Sequence, residues 1–159
     1  MRKRIYHKFP HKEIEFEQKY RYHSDLPYLV RVMANMDGKF GMFVTESVVQ
    51  RGHRIQAKRE ISVQIVRNGV DFEPLNYKNA DQIIDTIDPE GIIDFKIILN
   101  YSYLDGKYNR VPFRGDTYLV RAILENELLV LQVHRIEGSG RTEAGRVADT
   151  IIEEIRRGY

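Results

Sequence analysis

Glu15-Phe-Glu17-Gln-Lys19 is the string in this chain whose residue types and spacing come nearest to a chemical signature. On a strand, alternation puts Glu15, Glu17 and Lys19 on one face, where two carboxylates can hold Mg²⁺ and an ammonium can hold a phosphate. A different chemistry is offered by two basic, aromatic segments. Residues 1–12 carry Arg2, Lys3, Arg4, Lys8 and Lys12 with His7 and His11, no acid, and Tyr6 and Phe9 between the charges. Residues 107–114 carry Lys107, Tyr108, Arg110, Phe113 and Arg114. Cations interleaved with rings suit a partner with a phosphate backbone and stackable bases. The plainer reading of the first segment is a solubilising, partly frayed arm. If the two segments share one side of the fold they make a positive surface. Its candidate residues are Arg2, Lys3, Arg4, Tyr6, Lys8, Lys107, Tyr108, Arg110 and Arg114. Gly138-Ser-Gly140, ahead of a helical pattern, has amides that can cradle a phosphate at a helix start, or it can serve as a flexible corner.

The first string resembles the Glu-x-Glu-x-Lys signature on the first strand of the triphosphate-tunnel (CYTH) phosphohydrolases and cyclases. The resemblance implies a closed strand barrel lined by arginines and further glutamates, with Mg²⁺ on Glu15 and Glu17 and a phosphate on Lys19. It is carried by five of the 159 residues, and no Leu-Arg-x-Arg strand follows it. The last eighty residues resemble, in layout, the kinase-associated domains that bind anionic lipid or a kinase lobe. Other chemistries are not supported. There is no cysteine, which excludes disulfides, thiolate catalysis and Cys-ligated zinc. Pro10 separates His7 from His11 and keeps the pair off a regular helix. No serine stands in a Gly-x-Ser-x-Gly setting. The expectation is a non-enzymatic binding or interaction module for an anionic partner, nucleic acid first, without a cofactor. The alternatives are a Mg²⁺-dependent triphosphate hydrolase and a structural scaffold or homo-oligomer that uses its sheet edges or apolar surface.

Composition sets the frame for these residues. A hydrophobic content of 42 % with 30 % charged residues is that of a globular chain. The net charge of +2 does not by itself imply a nucleic-acid binder. No segment approaches the roughly 20 apolar residues of a membrane span, and no apolar run follows the basic start, so a cytoplasmic location is the default.

The elements that must position the candidates read in order. Residues 13–23 alternate as a half-exposed strand. Ser24, Asp25 and Pro27 open a helix over 26–36 that Asp37-Gly38 ends. Residues 39–49 and 54–67 are strands, with Arg59 interrupting the apolar face as a bulge or an exposed start. Asn68-Gly69 turns the chain into a short strand over 70–73. Asn79-Ala-Asp-Gln82 has the form of a capping box opening a short helix. Strands follow over 92–103, 118–124 and 128–133, with reversals at Asp105-Gly106 and Glu125-Asn126-Glu127. Ala144, Val147, Ala148, Ile151, Ile152 and Ile155 then make one helical stripe. Reversals between strands mean antiparallel pairing. The fold class is α+β: one domain over 1–159, a single bent antiparallel sheet with short helices and a C-terminal amphipathic helix packed on one face. Residues 1–12 are its arm.

Overall fold

A computed structural model describes residues 4–50, 53–105 and 107–158, with the backbone alone over 40–50 and 53–56. Seven strands and three helices follow in the order β1 (Phe16–Arg21), α1 (Leu26–Met36), β2 (Phe40–Gln50), β3 (His53–Arg67), β4 (Asp71–Pro74), α2 (Ala80–Ile84), β5 (Gly91–Leu104), β6 (Arg110–Glu125), β7 (Leu128–Glu137) and α3 (Ala144–Arg157). All pairings are antiparallel, in the order β1-β7-β6-β5-β3-β2, with β4 beside β3. The sheet is curled and stays open between β1 and β2. Irregular registers accompany the curl. Between Leu99 and Tyr101 the residues Arg114 and Gly115 both stand opposite Asn100, a two-against-one bulge that bends the strand. A Cβ on Gly115 would run into the Leu99 carbonyl.

The helices lie on one face of this sheet. Tyr22, Leu29, Met33, Val63, Phe95, Ile97, Val120, Leu131, Val147 and Ile151 belong to one buried cluster. Helix α1 starts as its sequence dictates: Asp25 accepts the Tyr28 amide at 2.9 Å, and Pro27 sits in the first turn. It ends where Asp37 accepts the Val63 amide at 2.8 Å and Gly38 turns at φ +83 to donate to Ile61. Helix α3 buries its expected stripe as far as Ile152, with Ile155 half-buried, and adds Glu154, 8 % exposed, which reaches Lys39 at 2.9 Å and Arg157 at 3.2 Å.

Three local expectations are corrected. Arg59 marks neither a bulge nor a start: it keeps register opposite Tyr101 and donates to Thr142 Oγ1 at 3.0 Å. Asn79 does not cap α2 with its side chain, because its Oδ1 is held by the Asn76 amide at 3.0 Å. The first strand is shorter than its alternation, since Tyr22 leaves it to enter the core and donate to the Asp25 carbonyl at 2.7 Å.

Candidate functional site

The described part of the N-terminal arm is stitched to the face of the sheet away from α3. Asp94 N donates to Arg4 O at 2.9 Å, Tyr6 N donates to Asp94 Oδ2 at 2.5 Å, and His7 N donates to Gly69 O at 2.9 Å. Arg4 itself is spent on the fold: its guanidinium reaches Val66 O at 3.0 Å, Glu73 at 3.5 Å and Thr86 Oγ1 at 3.3 Å. Tyr6 packs on Phe72 with ring centroids 4.9 Å apart. Phe9 is buried beneath the Arg121 guanidinium, 4.2 Å from its ring centre. The arm thereby covers a charge pair absent from the sequence expectations. Asp94, wholly buried, takes two bonds of 2.8 Å from Arg121. Desolvation pushes the Asp94 carboxyl above its ordinary range, against the lowering by Arg121 and the Tyr6 amide. Of the arm's described candidates, Lys8 alone is exposed. Arg2 and Lys3 lie outside the described residues.

The second group stands elsewhere. Asp94 and Leu104 are ten positions apart on β5, which separates the arm from the β5–β6 hairpin end by roughly 30 Å along the strand. The described parts of the two basic segments are therefore not one patch. At the hairpin end, the Asp105 carboxylate accepts the Lys107 and Asn109 amides at 2.8 and 2.9 Å, closing the tip as an Asx turn. Tyr108 sits on that tip at φ +63, 83 % exposed. Lys107, Arg110 and Arg114 are exposed, and among the described residues none of them is in an ion pair. On the opposite strand face Phe113 stacks on Tyr101, centroids 5.4 Å apart, and meets Tyr103 at 6.0 Å. Arg141 lies 4.8 Å over the Phe113 ring and donates to Arg114 O at 3.0 Å and Ser139 Oγ at 3.2 Å. No motif or spacing in the sequence marks Arg141. Its place depends on the corner before α3 folding back on the β6 bulge.

That corner answers the question of the glycine-rich turn. Gly140 N donates to Asp116 Oδ1 at 2.8 Å, and Tyr101 donates to Asp116 Oδ2 at 2.6 Å. Tyr118 donates to the Thr142 carbonyl, and Thr142 Oγ1 lies 2.9 Å from the Tyr101 hydroxyl. Asp116 is wholly buried. The anion in the cradle is thus the chain's own carboxylate, and the turn works as a corner that docks α3. Gly138 and Gly140 both have positive φ, +94 and +78. A Cβ on Gly138 would collide with Asp116 and with the Gly115 carbonyl.

Glu15, Glu17 and Lys19 are exposed, at and beside the edge strand β1. Glu17 accepts from Gln132 at 2.9 Å and Glu15 from the Arg135 amide at 3.4 Å. The sheet is open between β1 and β2, and among the described residues no enclosed basic cavity surrounds these three. Among the described residues, no group of three or more His, Asp or Glu side chains is placed to hold a metal ion. A groove of about 530 Å³ lies between Arg4, Leu26, Thr86, Asp88, Glu90 and Ile93. Its charge is mixed, and its one arginine is already bonded on three sides. No described helix is long and apolar enough to cross a membrane.

Fold and site together define an α+β protein with a curled antiparallel sheet, its helices on one face, its arm on the other, and a cation-rich hairpin end. Compared with known proteins, the chain matches no family model, no curated protein and no solved structure.

Proposed function

We propose that the protein is a non-enzymatic binding module whose anionic partner docks at the β5–β6 hairpin end. The observation that carries this reading is the set Lys107, Arg110 and Arg114, exposed and, among the described residues, in no ion pair, with Arg141 over Phe113 on the opposite strand face. Between 104 and 114 these three cations outnumber the one acid, Asp105, whose Oδ1 takes two backbone amides, and three positive charges against one negative leave the segment at +2. An unneutralised cluster of this kind attracts a polyanion and releases its counterions on contact. Arg4 contributes to folding, and Lys8 lies apart from the cluster.

The test is a salt series of binding to a labelled oligonucleotide. Replacing Lys107, Arg110 and Arg114 together by glutamine should lower affinity and flatten the dependence of log K on log salt by about one for each phosphate contact removed. Lys8→Gln should change neither by a comparable amount. No binding at low salt, or a slope that the triple variant leaves intact, would overturn the proposal.

A further inference from the structure

Resting on that reading, we infer that the partner is a single-stranded nucleic acid, held by base stacking on Tyr108 as well as by charge. A polyanion alone needs cations. It does not need a tyrosine held outward on a closed turn. The tip around Tyr108 is built by four hydrogen bonds: Asp105 Oδ1 takes the Lys107 and Asn109 amides, Asp105 N donates to Asn109 O at 2.9 Å, and Tyr108 N donates to Asp105 O at 3.1 Å. They fix Tyr108 in the left-handed region, where a bulky side chain is strained by about 1–2 kcal/mol. The ring that results meets no aromatic or cationic neighbour among the described residues. It is flanked by Lys107 and, two positions on, Arg110, so a base on the ring leaves its phosphates beside cations. Unstacked bases offer such a ring a π-face, whereas duplex bases are stacked on one another and offer only edges.

The experiment compares a labelled oligouridylate, a duplex of matched length and inorganic polyphosphate, each titrated by fluorescence anisotropy against the full chain and its Tyr108→Ala and Tyr108→Phe variants. The single strand should bind most tightly. Tyr108→Ala should weaken it about tenfold, the scale of one lost base–aromatic stack, with an unchanged salt slope. Tyr108→Phe should restore it, and polyphosphate should not distinguish the three proteins. If all three proteins bind polyphosphate as well as oligouridylate, the stacking inference is wrong while the charge reading stands. Preference for the duplex overturns it in favour of a hairpin laid in a groove. Failure to bind any of the polyanions takes both proposals down.

Discussion

Asp94 and Asp116 are both wholly buried, and they are satisfied by opposite means. Asp116 is held by neutral donors, two backbone amides and a phenol, while Asp94 is held by a full charge. The difference predicts how each would fail. In Arg121→Ala the Asp94 carboxylate keeps the Tyr6 amide and loses its counter-charge, which in a buried pair costs on the order of 3–5 kcal/mol at neutral pH. Burial, opposed now only by the Tyr6 amide, dominates its titration, so the folded variant holds the Asp94 proton more tightly than the unfolded chain does. Stability falls as pH rises through that interval, which begins near the ordinary aspartate value of about 4. The deficit against the parent, read from urea midpoints, should therefore be smallest near pH 4 and grow towards pH 7. A deficit independent of pH would contradict this account. The pair was half legible. Asp94 interrupts Ile92-Ile93-Asp94-Phe95 and Arg121 interrupts the apolar run 118–124, and a charge inside each of two buried strands asks for a partner. Matching them needed the register that sets Asp94 opposite Arg121.

At the scale of elements, periodicity decided most of the fold. The alternation of β3, the helical stripe of α3 and the caps of α1 are local patterns, and each formed within a residue or two of its expected bounds. What a local pattern does not contain is the reason for a turn's sequence. Asn126 and Glu127 join β6 to β7 at φ +52 and +64, the pair of left-handed residues that a two-residue turn of this kind prefers to build from Asn-Gly. Glu127→Gly should therefore stabilise the protein by about 1 kcal/mol, because the exposed His23 contact it gives up is worth little. An unchanged or lower melting temperature would reject the strain argument. The corner before α3 makes the opposite case. Gly38 and Gly138 both have positive φ, yet a methyl on Gly38 meets open space and one on Gly138 meets Asp116 and the Gly115 backbone. Gly38→Ala should cost about 1–2 kcal/mol of left-handed strain. Gly138→Ala should cost distinctly more and raise amide exchange in α3, whose docking that corner fixes. Equal costs would mean that the corner yields easily.

Across the whole molecule, the arm and the corner place buried polar groups on both sides of one sheet. Where the two basic segments would lie was a matter of topology, and neither composition nor spacing carried it: the arm crosses to the start of β5 while the hairpin tip stands at the other end. The polar interior has a consequence for alkaline stability. Burial, the largest cause in each case, raises the phenols of Tyr22, Tyr101 and Tyr118 well above the ordinary tyrosine value, and the Asp116 charge adds to it for the last two. A raised folded value means that the native chain keeps protons which the unfolded chain releases. The stability these groups contribute is therefore complete below about pH 10 and is lost as pH rises above it. In a spectrophotometric titration, three of the ten tyrosines should stay silent while exposed phenols ionise. Their signal should appear only in step with the loss of far-ultraviolet ellipticity. Tyr101→Phe removes one such proton together with the bond to Asp116, so it should lower stability at neutral pH and flatten the alkaline decline. If all ten phenols titrate while the ellipticity is intact, these three hydroxyls are open to solvent, and the corner that docks α3 is not the closed polar network of Asp116, Tyr101 and Thr142.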